Sequence, residues 1–373
     1  MTDRRPAGDG GDAGATGADG RGDDPKQAGE SGATGYRRRL LVVVQWTVAL
    51  GAFWYVARGV DWSAVATDLA AVPAVVVLAI LAITVLEFGS RFSMWYALLW
   101  GRVDVSLATT VRIDLTIKFI NHVVPSKASG HSVAPLVLRH YTDSDWPEAV
   151  SIAGLNTGLY AALYGAVALA GLVVFAPQLP AGWLLVIALS TGIYLAAGTV
   201  VLLAGRRLDV AGELIGRLEG LLGRIPRVGA KLGGVAAALP AFGADSAAAF
   251  RERSGRPGVL VGYALGWAGT LMVFPGLRVW LLLDALGAAI TPTVLLPVVL
   301  VTAYSVTVLP LTPGGVGVAE ASTTAVFVGL GVPPGTAAVV VLIDRVFGVY
   351  LPAALGWIPV ATLDLPGLFA SDT

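Results

Sequence analysis

The 373 residues contain no cysteine, which removes disulfides, thiolate metal sites and cysteine nucleophiles together. Charge is scarce as well. Asp, Glu, Lys and Arg make up 13% of the chain, against roughly a quarter in an ordinary soluble domain. The 25 basic and 25 acidic groups cancel, so no overall field draws nucleic acid. Lysine is nearly missing: Lys26, Lys118, Lys127 and Lys231 are the only four, and arginine carries the remaining positive charge. Three histidines, His122, His131 and His140, recur every nine residues, which turns successive rings to opposite faces of a helix and argues against a shared metal. No metal or other cofactor is expected.

What is present is apolar: 55% hydrophobic residues and a mean hydropathy of +0.75. Blocks at 40–57, 73–100, 149–175, 181–204, 257–283, 289–309, 316–332 and 336–363 approach or exceed the roughly 20 residues that cross a hydrocarbon layer about 30 Å thick. The expected fold is an all-α polytopic membrane protein with seven or eight transmembrane segments. Residues 1–36 hold almost no large apolar side chain and read as a disordered tail, and 364–373 as a short C-terminal tail. Between them, 37–363 form one transmembrane domain. The arginines at 37–39 precede the first block, which places the N-terminus in the cytoplasm of a cell-membrane protein. The loop 205–256 carries nine basic against five acidic residues and is expected on the same side, with a surface helix over 210–225. The two charge signals agree only if 101–148 dips into the membrane and returns. Residues 316–332 follow a glycine-rich break and either form a re-entrant half helix or cross fully.

Two stretches interrupt the apolar pattern alike. "FINHVVPSKASGH" (119–131) and "SVTVLPLTPGGVGVAE" (305–320) each halt at proline and continue into a Gly/Ser-rich turn with polar groups. The breakers are Pro125 in the first and Pro310 and Pro313 in the second. Backbone that leaves the helix cannot face lipid, because each unpaired N–H or C=O there costs several kcal/mol. Both breaks therefore line a cavity or pack on protein, in the manner of inverted-repeat transporters. Gly314, Gly315 and Gly317 permit conformations closed to other residues. A half helix starting near Val316 would turn its free N–H groups towards an anion. Glu320 is ionisable within an apolar region and needs a polar cavity or a basic partner, with Arg91, Lys127 and Arg345 the candidates. Glu87 and Arg91, four residues apart, read as a self-neutralising pair or as part of a site. Asp344 and Arg345 are adjacent, so they point about 100° apart and cannot share one partner.

The segments "RFSMWYALL" from Arg91, "NHVVPSKASGHSVAPLVLR" from Asn121 and "LPLTPGGVGVAE" from Leu309 resemble the signatures of the lysylphosphatidylglycerol synthase transmembrane family. The resemblance extends over nearly all of 37–363. It implies a flippase-type membrane domain in which re-entrant segments bring polar groups to a central cavity. By position it assigns substrate contacts to Asn121, Lys127 and Arg139 in the first motif, and to Thr312, Gly314, Gly315, Gly317 and Glu320 in the second. Where the family commonly has Gly-Glu, this chain has Gly130-His131. The chain ends about ten residues after its last apolar block, so the soluble aminoacyl-transfer domain and its lysyl-lipid synthesis are not expected.

The function expected is translocation of an anionic or headgroup-modified lipid, such as a phospholipid or a polyprenyl-phosphate-linked sugar. Arg91 and Arg345 join the motif residues as candidate substrate contacts. The alternative is a membrane scaffold for a separate glycosyltransferase or other lipid-modifying enzyme. No catalytic constellation is evident, so an enzyme is not expected. Topology is directly testable: single cysteines placed in 1–36 and 205–256 should both react with an impermeant thiol reagent from the cytoplasmic face. Labelling of the two from opposite faces would contradict the predicted return of 101–148.

Overall fold

A computed structural model describes residues 72–101, 105–123, 127–179, 181–208, 229–309 and 315–361, with Thr47, Ser63, Ala70 and Thr312 as single positions. The chain divides into two units, Met1–Val44 and Gln45–Thr373, and every described residue belongs to the second. The two tails, the arginines at 37–39, the surface helix expected over 210–225, and Pro125, Pro310, Pro313 and Gly314 lie outside the described residues. All described elements are helical.

The first half contains α1 (Ala74–Leu99), α2 (Leu107–Val123), α3 (Lys127–Thr142), α4 (Trp146–Phe175) and α5 (Ala181–Arg206). The start of α4 is written in its sequence. Asp145 accepts the Glu148 N–H at 2.8 Å, and Pro147 occupies the first turn, where its missing N–H costs nothing. Then comes α6 (Gly229–Ser254), within what reads as a polar loop. Its last turns dock on α4 and α5, with Phe250 buried against Gly205 and the Ser151 hydroxyl donating to the Ser246 carbonyl at 2.6 Å.

The second half runs through α7 (Pro257–Ala268), a π-helical turn (Gly269–Val273) and α8 (Phe274–Ala285). It continues with α9 (Leu296–Tyr304), a 3-10 turn (Ser305–Val308) and α10 (Val318–Gly329). A final stretch joins α11 (Pro334–Arg345), a second π turn (Val346–Tyr350), α12 (Leu351–Leu355) and α13 (Trp357–Ala361).

Among the described residues, five helical stretches are long and apolar enough to span a membrane: Ala74–Leu99, Trp146–Gln178, Ala181–Arg206, Pro257–Ala285 and Pro334–Ala361. Their outer faces are apolar, with Leu78, Val85 and Leu86 on α1 and Leu185, Leu189 and Val200 on α5 all exposed. The 12 residues of α10 rise about 18 Å, short of the roughly 30 Å needed. With the 3-10 turns at its ends, α9 belongs to the shorter apolar helical stretch Thr293–Val308, which falls below the length of those five spans. Instead α9 packs on α10 in a hairpin, as α2 packs on α3 in the first half.

The hairpins exchange halves. The first packs on the final stretch, with Gly356 pressed on the Leu115 carbonyl and the Phe119 and Trp357 rings 5.7 Å apart. The second packs on α4 and α5, where Ser190 and Ser305 share a buried 2.9 Å hydrogen bond. Small residues bring α4 and α5 together, since a Cβ on Gly198 would lie 2.6 Å from the Ala162 nitrogen. Gly198→Ala should therefore cost about 1–3 kcal/mol in detergent unfolding, as overpacking does. Gly192→Ala, which meets nothing within 4 Å, should be neutral or slightly stabilising. Equal melting of the two variants would contradict this packing.

Candidate functional site

Among the described residues, four carboxylates, Glu87, Asp114, Glu320 and Asp344, and three guanidinium groups, Arg91, Arg278 and Arg345, lie buried within the apolar bundle. Glu87 and Arg91 sit one turn apart on α1 and pair at 3.0 Å through Oε1. The other Glu87 oxygen takes Arg278 of α8 at 2.5 Å. Arg278, with no exposed surface, also grips Asp344 of α11 through Nε and Nη2, at 3.0 and 2.5 Å from Oδ1. Tyr304 of α9 donates its hydroxyl to Asp344 Oδ2 at 2.9 Å. Such a cluster persists in an apolar interior only because its charges cancel and nearly every lone pair is used. The adjacent Asp344 and Arg345 diverge as their spacing requires. Asp344 turns to α8, and Arg345 Nε meets Glu320 Oε1 at 2.8 Å.

Glu320 also settles the question of the half helix. Its Oε2 accepts the Gly317 N–H at 2.6 Å, so the start of α10 is capped by its own third-position carboxylate. The Tyr350 hydroxyl donates to Oε1. The anion expected at this helix start is therefore built into the chain. Gly315 and Gly317 take φ of 74° and 81°, angles that glycine adopts without strain. Of Glu320's candidate partners, Arg345 is in contact.

The π turn on the final stretch has a local cause and a use. Pro352, four residues after Gly348, has no N–H to offer its carbonyl, and Arg91 Nη2 donates to it at 2.8 Å. Gly348 also lets the helix approach closely, since a Cβ there would stand 3.1 Å from Arg278 Nη2.

Polar groups border the network on its first-half side. Trp95 of α1 donates to Asp114 Oδ1 of α2 at 3.2 Å, and Lys118 and His122 follow Asp114 at successive turns. Tyr160 and Tyr164 of α4 and Tyr194 of α5 form a stack, with centroids 5.5 and 4.5 Å apart.

The structure thus brings together Arg91, Glu320 and Arg345, with Gly315 and Gly317 at the break. Thr312 is buried there, its hydroxyl without a partner and its carbonyl accepting the Gly315 N–H at 3.1 Å. Asn121 is half-buried one turn beyond Lys118. Arg139 stands apart, its guanidinium 4.4 Å from the Trp146 ring centroid. Lys127 opens α3, and its side chain lies outside the described residues. Sequence reasoning missed Arg278, although a lone arginine inside an apolar block carries the same signal as Glu320. Tyr304 and Tyr350 gave none.

The family model for the lysylphosphatidylglycerol synthase TM region matches residues 41–356. The chain belongs to the lysylphosphatidylglycerol synthase transmembrane family. It is also 36% identical over 86 residues to a UPF0104 membrane protein of Methanocaldococcus jannaschii, a match spanning 23% of this chain and 25% of that protein. No solved structure matches. For this family member the network yields a stability prediction. Arg278→Met leaves Glu87 and Asp344 without their shared counter-ion and should cost about 3–5 kcal/mol in detergent unfolding. A cost below about 1 kcal/mol, typical of exposed pairs, would contradict the described burial.

Proposed function

We propose that the protein is a flippase-type lipid translocator of the cell membrane with a cytoplasmic N-terminus. Its substrate is a lipid with an anionic or modified headgroup, a phospholipid or a polyprenyl-phosphate-linked sugar. The observation that carries this reading is the crossed packing of two helix hairpins, one from each half, around a buried polar core. Family membership supports it.

With 205–256 cytoplasmic, α4 leads out and α5 returns, so the first hairpin enters from the cytoplasmic side. The stretch from α7 to α8 leads out again, and the second hairpin enters from the opposite side. Two broken segments entering from opposite faces form the arrangement of alternating-access carriers. A headgroup follows the polar interior while its acyl or prenyl tail stays in the surrounding lipid. The Glu320–Arg345–Tyr350 contacts tie α10 to the final stretch, so a change of access requires them to rearrange.

Translocation of a labelled lipid in proteoliposomes of the pure protein tests the proposal. Transport above that of empty vesicles is expected, with loss in Glu320→Gln and reduction in Lys127→Ala. Rates equal to empty vesicles, or unaffected by both substitutions, would refute it. A protein that moves no lipid but co-purifies with a glycosyltransferase would instead be a scaffold.

A further inference from the structure

One guanidinium holds both roots of the first hairpin. Leu98 lies in the last turn of α1 and Glu148 in the first turn of α4, and the chain between them carries α2 and α3. Arg253, near the end of α6, donates Nη1 to the Leu98 carbonyl at 2.8 Å and Nη2 to Glu148 Oε1. A carbonyl in the last turn has no partner within its own helix, so Arg253 fills a vacancy that α1 leaves by construction. Both contacts also suit the helix ends, with a cation at the C-terminus of α1 and a carboxylate at the N-terminus of α4.

These contacts close a seam. Helix α1 packs along α7 and α8, α4 packs along α5 and α6, and α1 and α4 meet each other only briefly. The first hairpin straddles that seam, with α2 on α1 and α3 on α4. The chain passes from α6 to α7, and so from one side of the seam to the other, through Gly255 and Arg256 alone. A Cβ on Gly255 would stand 3.0 Å from the Arg251 carbonyl, so this joint needs glycine.

Exposure decides which tie can part. Among the described residues, four ion pairs join different helices, and in three of them no side chain is more than 7% exposed. In the fourth, Arg253 and Glu148 are 12% and 21% exposed. Water can replace either partner there, whereas parting Arg278 from its carboxylates would strand a buried charge.

We infer that Arg253 is a releasable clasp: bound to Leu98 and Glu148 it shuts the α1–α4 seam at the root of the first hairpin, and its release lets the seam open about the Gly255–Arg256 joint. The inference rests on the lipid-translocation reading for the purpose of that opening.

A chain without cysteine permits two tests. The first follows Leu98→Cys, a fully buried position in the last turn of α1, by its rate of reaction with a maleimide in the purified full-length protein. Adding Arg253→Met should raise that rate about fivefold or more, the population shift expected from losing a partly exposed pair and a charge-assisted hydrogen bond. Val299→Cys, fully buried on α9, should react no faster in the same background. Equal rates for Leu98→Cys with and without Arg253→Met would overturn the proposal. So would an equal rise at Val299→Cys, since Arg253 would then hold the whole fold. The second test joins Glu148→Cys to Arg253→Cys with a bis-methanethiosulfonate reagent and follows a labelled phospholipid in proteoliposomes. Bridging should stop translocation and a reductant should restore it, with neither single variant responding to the reagent. Undiminished translocation by the bridged protein would overturn the clasp. A parent protein that moves no lipid would remove the translocation reading, and the Leu98→Cys rates would then keep or remove the clasp by themselves.

Discussion

Arg278 is the group on which the polar interior depends. A guanidinium without exposed surface, in a helix long enough to span a membrane, must be neutralised where it stands. It meets that demand with one carboxylate from each half of the chain, Glu87 on α1 and Asp344 on α11. Those two in turn hold Arg91 and Tyr304, and Arg91 reaches the backbone of the final stretch at Gly348. A single unpaired charge here would cost several kcal/mol, so these helices take positions that keep every member paired.

The broken helices follow the same economy of polar groups. A chain that interrupts a helix inside an apolar region must satisfy the freed backbone from its own resources. Glu320 does this for the second hairpin by capping Gly317 while neutralising Arg345, so one side chain answers a backbone need and a charge need together. Glycine at 317 serves the turn through its positive φ. Each hairpin packs on the opposite half. Packing and ion pairing connect the two described halves.

Much of this was legible in the sequence. Low charge and long apolar blocks gave the helical membrane class. Gly315 and Gly317 marked the break before α10. The Glu320–Arg345 contact was one of three options, because an intramembrane carboxylate needs a cation but periodicity cannot say which helix supplies it. Arg278 went unnoticed inside a run whose average hydropathy hid it. The roles of Tyr304, Tyr350 and the Gly348 carbonyl depend on how α9, α11 and the second π turn come together, which local pattern does not encode. The long helix Gly229–Ser254 was masked by its charged and small residues, which read as loop until Phe250 and Ser246 find partners on α4 and α5.

The central claim is that this polar interior receives the headgroup of a phosphate-bearing lipid. Mass spectrometry of lipids retained by the purified protein tests it most directly, with Glu320→Gln purified in parallel. A phosphate-bearing lipid held in near-equal amount to the protein and lost from the variant is the result expected. Retention of neutral lipids alone, or the same phospholipid bound equally by both proteins, would contradict it.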